Sequence, residues 1–148
     1  MQFVHTVVLA APPERVWEVL SDWERQASWM PDVAWLRPIG PGREIGARLE
    51  VRTKVFGVPA ATDLLTVTAW EPPRRLATQH VGVVKGAGEW LLEPTHEGGA
   101  TRFRWIEDIR LPPPFIGDLA LWIYSPWQRW MLRRSVANLR RLVEGPSG

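Results

Sequence analysis

Residues 46–56 constrain the fold more than any other stretch of this sequence, because small or apolar side chains alternate there with charged ones. Successive side chains of a β-strand point to opposite faces, so a period of two predicts a strand with one buried and one solvated face. The side chains expected to face inward are Ala47, Leu49, Val51, Thr53 and Val55. Strands of this one-sided kind are typical of antiparallel sheets.

The middle of the chain, from Val33 to Ile109, predicts strands and turns only, whereas helices are predicted towards the two ends. A first helix opens at residues 11–14, APPE, and a short second helix ends before Pro31. The predicted strands cover residues 2–9, 33–39, 46–56, 61–70, 75–81, 87–93 and 101–109. Strands grouped between terminal helices predict an α+β fold with a curved antiparallel sheet of six to seven strands.

A long amphipathic helix is predicted over residues 126–143, and we expect the concave face of the sheet to pack against it. Ser125-Pro126 suits an N-cap followed by proline in the first helical turn. Residues 115–124 are therefore either a separate short helix or the first part of one long helix that is kinked at Pro126. The apolar stripe expected to be buried contains Leu132, Val136 and Leu139.

The whole chain, residues 1–148, is expected to form a single domain, because it has 45% hydrophobic and 23% charged residues. It contains no cysteine, which excludes disulfides and thiolate ligands and suits a cytoplasmic location. A net charge of only +2 argues against a nucleic-acid partner. The sequence also predicts no transmembrane segment and no signal peptide.

Motifs for metal, nucleotide or nucleophilic chemistry are missing from the sequence. The three histidines, His5, His80 and His96, lack the spacing of zinc ligands, so no metal site is predicted. Gly86-Ala87-Gly88 is not followed by a predicted helix, which argues against a nucleotide-binding loop. We therefore expect no cofactor.

The sequence resembles the START-like, or polyketide cyclase/dehydrase, superfamily over nearly its whole length. The resemblance is carried by APPERVWEVLSDWERQASWMPDV at 11–33, WEPPRRL at 70–76, GAGEWLLEP at 86–94 and GGATRFRW at 98–105. It implies a helix-grip fold, in which a seven-stranded sheet wraps around the C-terminal helix and encloses a cavity. Members of this group bind lipids, sterols, quinones or polyketides, and some catalyse cyclisation or dehydration, but they share no universal catalytic residue.

The resemblance and ten tryptophans favour a binding or carrier protein for an apolar, aromatic or polycyclic small molecule or a lipid. A cyclase or dehydratase that uses general acid–base chemistry is the second hypothesis. A protein-interaction module is the third, and the charged outer face of residues 46–56 argues against it. The missing catalytic motif favours binding over catalysis. Tryptophans that simply fill the core are the alternative to an aromatic-lined cavity, for which about 300–1,000 Å³ would be typical.

The predicted strand pairing suggests where polar chemistry would lie. Turns near residue 84 and at Gly98 arrange the inner face in three rows, Leu76–Leu92–Phe103, Thr78–Trp90–Trp105 and His80–Gly88–Glu107. Glu107 is then the candidate general base and His80 its acid partner; in a carrier the two would orient a ligand hydroxyl or carbonyl. Alternatively, the edge of the sheet is open to solvent there, and the side chains of His80 and Glu107 are only solvated. The candidate ligand-binding residues are Thr78, Gly88, Trp90, Phe103, Trp105, Trp122 and Tyr124.

Overall fold

The computed structural model of the chain describes residues 1–82, 85–95 and 97–145, so the predicted turn near residue 84 and His96 lie outside the described residues. Ten elements follow one another within these described residues. They are β1 (Gln2–Leu9), α1 (Pro13–Leu20), a short 3₁₀ helix (Trp23–Ser28), β2 (Val33–Ile39), β3 (Arg48–Val55), β4 (Val58–Glu71), β5 (Arg75–Val81), β6 (Lys85–Pro94), β7 (Thr101–Arg110) and α2 (Ile116–Glu144).

The seven strands form one antiparallel sheet in the order β1-β7-β6-β5-β4-β3-β2. The predicted helix-grip α+β fold is therefore confirmed. Alternation in β3 is confirmed at Leu49 and Val51, which are buried, and at Arg48, which is exposed. At the far end of the strand the alternation is not kept, since Val55 is exposed.

The inner face of the sheet packs against α2 along the predicted stripe. Leu132, Val136 and Leu139 are all buried, as expected from their spacing on one helix face. They join one continuous core with Phe103 and Leu76 of the sheet. The C-terminal half of α2 is thus the part of the helix that the sheet grips.

Pro126 lies inside α2, so the long-helix alternative holds and the N-cap interpretation of Ser125 is wrong. A proline at this position has no N–H to donate to the carbonyl of Trp122, four residues earlier. The hydroxyl Oγ of Ser125 donates to that carbonyl instead, at 2.7 Å. The freed carbonyl is therefore satisfied, and the helix continues through the proline.

The pairing of β6 with β7 is confirmed, with Gly88 opposite Glu107, Trp90 opposite Trp105 and Leu92 opposite Phe103. The predicted pairing of β5 with β6 is wrong by two residues. The rows on the inner face are Leu76–Trp90–Trp105, Thr78–Gly88–Glu107 and His80–Gly86–Ile109.

The difference changes the pairing but not the faces. Leu76 lies opposite Trp90 rather than Leu92, and Thr78 lies opposite Gly88 rather than Trp90. Because side chains alternate between the faces of a strand, a register change of two residues keeps each side chain on its predicted face. The inner-face assignment of Thr78, His80 and Glu107 therefore survives, but Gly88 pairs with Thr78 and not with His80.

Candidate functional site

A small cavity of about 70 Å³ lies between the inner face of the sheet and the segment that contains the 3₁₀ helix. Six of the predicted site residues line it, and residues from β2, β3 and the 3₁₀ helix close its other sides. The predicted residues on its wall are Thr78, His80, Gly88, Trp90, Trp105 and Glu107.

The other predicted residues lie elsewhere. Phe103 is fully buried behind Trp105, with ring centroids 6.4 Å apart, and packs in the core. Trp122 is 67% exposed on the outer side of α2, so it is not part of the cavity wall. Tyr124 is half-buried and its ring contacts Phe56 of the β3–β4 hairpin, with centroids 5.4 Å apart. The sequence does not show which side of α2 faces outward at its N-terminal end, so it did not indicate the exposure of Trp122.

Glu107 is the central polar group of the cavity. Burial raises the pKa of its carboxyl to about 7, and the nearby charge of Asp32 acts in the same direction. Hydrogen bonds from Trp105 and Gln128 oppose this shift of the pKa. In the second of them, Gln128 Nε2 of α2 donates to Glu107 Oε2 at 2.9 Å. A carboxyl with such a pKa exchanges its proton near neutral pH, which suits it to acid–base work or to hydrogen bonding in either state.

Asp32 is a second acid on the same wall, at a position that the sequence does not mark as functional. It follows the 3₁₀ helix and directly precedes β2. Its Oδ1 is buried without a hydrogen-bond partner among the described residues. Burial raises the pKa of Asp32 to about 6. Nothing in the local sequence separates this aspartate from an ordinary loop residue; only the folded position of β2 beside the cavity does so.

His80 lines the cavity from β5. Burial lowers the pKa of its imidazole, against the opposing effect of the Asp63 carboxylate, so the ring is favoured in its neutral form. The Nδ1 atom is buried and has no hydrogen-bond partner within the described part of the chain. A neutral histidine with a free ring nitrogen is able to bind a ligand hydroxyl or to accept a proton.

Gly88 leaves open the space between two polar groups. A methyl group built on its backbone would lie 3.7 Å from Thr78 Oγ1 and 3.8 Å from Glu107 Oε1. Both distances are ordinary van der Waals contacts, so the glycine is not required by crowding. Its missing side chain leaves space between a hydroxyl and a carboxyl group.

Tryptophans form the apolar wall. Trp90 and Trp105 are buried, and their ring centroids are 5.7 Å apart in an edge-to-face arrangement. Trp29 packs against both, at 5.7 Å and 5.9 Å. These rings therefore fill the core, and those of Trp90 and Trp105 also face the cavity.

The volume of the cavity is smaller than the volume expected from the sequence. Its volume of about 70 Å³ is well below the range of about 300–1,000 Å³ that is typical of ligand sites. A larger open cleft of about 480 Å³ lies outside it, lined by the 3₁₀ helix and the β2–β3 connection, and Trp23 lines both spaces. The indole Nε1 of Trp23 donates to the carbonyl of Gly42 at 2.7 Å, which fixes the ring between them.

Two kinds of feature, a metal-binding cluster and a membrane-spanning helix, are absent from the described residues. No group of three or more histidine, cysteine or acidic side chains is placed there to hold a metal ion. No helix in that part of the chain is both long and apolar enough to cross a membrane.

Comparison with known proteins accounts for the fold. The profile of the family "Polyketide cyclase / dehydrase and lipid transport" matches residues 1–144. The chain belongs to this family. No curated protein matches it in sequence.

Several solved structures have a similar fold. The protein TTHA0849 from Thermus thermophilus has a TM-score of 0.79 and 20% identity, with 100% of each chain covered. The Zhui aromatase/cyclase from a Streptomyces species has a TM-score of 0.71 and 21% identity, covering 100% of this chain and 98% of that one. A START superfamily protein from Mycobacterium smegmatis has a TM-score of 0.69 and 17% identity, covering 97% and 94%. Membership of the polyketide cyclase family supports a ligand-binding or cyclase-type function.

Proposed function

We propose that this protein binds an apolar, ring-containing small molecule that carries one hydroxyl or carbonyl group, in the cavity between the sheet and the segment that contains the 3₁₀ helix. The observation that carries the proposal is the row Thr78–Gly88–Glu107 beside the indole rings of Trp90 and Trp105. It combines an apolar wall with a hydroxyl and a carboxyl group that flank an open position. Ligand sites are usually built in this way, from mainly apolar surface with a few placed polar groups.

The size of the cavity limits the part of the ligand that is enclosed. A space of about 70 Å³ accommodates a few water molecules or a substituent of a ring. We infer that a polycyclic ligand enters with its polar end and displaces Trp23 towards the outer cleft, because this ring lies between the two spaces. A single-ring ligand would require a smaller displacement.

The binding test compares matched pairs of ligands. Tryptophan emission and calorimetry would be followed with phenol and 1-naphthol, and with benzene and naphthalene as controls that lack the hydroxyl. We expect the hydroxylated ligand of each pair to bind about tenfold more tightly, which corresponds to one net hydrogen bond of ordinary strength. Equal binding of both members would contradict a role for the polar row.

A matched pair of variants locates the binding. Gly88→Val places two methyl groups between Thr78 and Glu107 and should abolish binding, whereas the fold should persist because valine favours strands. Ala87→Val, on the exposed face of the same strand, is the control and should bind normally. Binding that survives Gly88→Val in a folded protein would refute this site.

A cyclase or dehydratase is the second candidate, favoured by a specific observation: two acids and a neutral histidine line one cavity. The shifted pKa values favour the reverse of the roles expected from sequence, with the His80 ring as proton acceptor and the Glu107 carboxyl as proton donor. Dehydration of a β-hydroxyketone illustrates the balance. His80 would take the α-proton, Glu107 would protonate the departing hydroxyl, and the products would be an enone and water.

Catalysis is tested with 4-hydroxy-4-phenylbutan-2-one, whose dehydration gives a conjugated enone that absorbs in the near ultraviolet. An enzyme should accelerate enone formation, and Glu107→Gln should reduce the rate by at least about 100-fold. Binding of phenol by the same variant would remain measurable, because a glutamine amide still hydrogen-bonds a hydroxyl. Ligand binding by the wild type without any enone formation would favour the carrier function.

A further inference from the structure

The N-terminal half of α2 exposes an apolar surface that the core does not use. Five of its large apolar residues are between 57% and 86% exposed. They are Phe115, Ile116, Leu119, Trp122 and Ile123. Exposed apolar residues at a spacing of three to four share one side of a helix, and that side of a surface helix is normally polar. We call these five residues the apolar ridge.

The ridge continues onto neighbouring elements. Phe56, at the tip of the β3–β4 hairpin, is exposed and its ring packs against Trp127, with centroids 5.1 Å apart. Trp127 in turn packs against the half-exposed Trp130, also at 5.1 Å. A contiguous apolar surface of this kind on a single chain marks an interaction site.

Charge around the ridge points to the chemistry of the partner. From residue 115 to residue 128 the only charged side chain is Asp118. The following turns expose Arg129, Arg133 and Arg134, and none of these three has an acidic group within 4.0 Å among the described residues. The outward side of one helix thus passes from aromatic and aliphatic residues to unpaired arginines.

We propose that the apolar ridge and the adjacent arginines of α2 dock this protein on an anionic lipid membrane surface. Aromatic and aliphatic side chains bury in the interfacial region of a bilayer, while arginines bind the phosphate groups of anionic lipids. The excess of three arginines over one aspartate matches a negatively charged surface. This proposal does not depend on the cavity or on the identity of its ligand.

The experiment is sedimentation of the full chain with lipid vesicles. Wild-type protein should bind vesicles of phosphatidylcholine mixed with phosphatidylglycerol, and bind pure phosphatidylcholine vesicles much more weakly. Added salt should weaken the binding to the mixed vesicles, because exposed charges are screened. Absence of binding to either vesicle would overturn the proposal.

Two sets of variants separate the apolar from the charged contribution. Leu119→Ser with Trp122→Ser should lower the affinity for mixed vesicles at least about tenfold, since two large side chains lose their burial in lipid. Arg133→Gln with Arg134→Gln should lower it by about 30-fold, and should leave the weak binding to neutral vesicles unchanged. Every substituted residue is exposed, so circular dichroism should show an unchanged fold.

Matched controls come from the β2 edge of the sheet. Ile39→Ser with Ile45→Ser removes two exposed apolar side chains of β2 and its connection to β3, and should leave vesicle binding unchanged. Equal losses in this control variant and in the ridge variant would overturn the proposal. So would a wild-type dimer in light scattering that ignores vesicles and becomes monomeric in the ridge variant, because a second copy would then cover the ridge.

Discussion

Gln128 Nε2 donates a hydrogen bond of 2.9 Å to Glu107 Oε2, and this bond joins α2 to the inner face of the sheet beside the cavity. Gln128 is buried, and it lies on the first turn after the internal proline of α2. Because α2 continues through Pro126, the amide of Gln128 lies within hydrogen-bond distance of Glu107. The same bond opposes the rise in the pKa of Glu107, so packing and acid–base chemistry are coupled at one pair of side chains.

The raised pKa values of Glu107, about 7, and Asp32, about 6, predict how stability depends on pH. Both exceed the ordinary values of 4.5 and 3.8, so the folded state holds these protons more tightly than the unfolded chain. Their stabilising contribution is fully present below the ordinary values and is lost as the pH rises to about 7. Glu107→Gln removes one of the two titrations.

We expect Glu107→Gln to be more stable than the wild type at about pH 8, by up to about 3 kcal/mol, and to differ little from it at about pH 4.5. Urea unfolding at both pH values measures the difference. Glu93→Gln, an exposed residue on the neighbouring strand, is the control and should shift stability by less than about 0.5 kcal/mol at either pH. A Glu107→Gln variant that is less stable than the wild type at about pH 8 would contradict the burial argument.

Removing the amide should have the opposite effect. Gln128→Leu leaves Glu107 Oε2 without its partner, which should destabilise the protein by about 1–3 kcal/mol at about pH 8 and by less at about pH 5. The variant combined with Glu107→Leu should recover part of this loss, since no buried carboxylate then remains. Changes in stability of the two single variants that simply add would show that the bond contributes nothing to stability.

The elements and the inner face could be predicted from the sequence because side-chain alternation reports them directly. Alternation in β3 and the stripe on α2 identify buried faces without knowledge of the partner. The pairing of β5 with β6 could not be predicted in the same way. A register change of two residues leaves every side chain on its predicted face, so Thr78 and His80 satisfy the pattern in either register.

The cavity wall was partly predictable for the same reason. Glu107, Trp90 and Trp105 follow from the confirmed β6–β7 pairing. Asp32 comes from a segment that is distant in the sequence, and only the packed position of β2 brings it to the wall. Gln128 reaches Glu107 only because α2 packs against the sheet. Local pattern also does not decide which face of α2 is outward before Pro126, because that part of the helix is apolar on nearly every side.

Val136 on α2 tests the grip of the sheet on the helix. The Val136→Asp variant should be unfolded, because its side chain is buried and an unpaired charge there costs several kcal/mol. Ala137→Asp, at the next residue on the exposed side, should remain folded with the far-ultraviolet circular dichroism of the wild type. A folded and soluble Val136→Asp variant would contradict the observed orientation of the helix.

The role of Trp23 as the partition between the cavity and the outer cleft gives a kinetic prediction. Trp23→Phe removes the hydrogen bond to the Gly42 carbonyl and shortens the ring that separates the two spaces. Release of a fixed ring lowers the barrier to its displacement, so 1-naphthol should associate and dissociate several-fold faster in stopped-flow fluorescence. Phenol, which requires a smaller displacement, should show a smaller change. Trp35→Phe, whose ring lies against Arg37 and does not line the cavity, is the control and should leave both rates unchanged. Unchanged rates in a folded Trp23→Phe variant would place the entry route elsewhere.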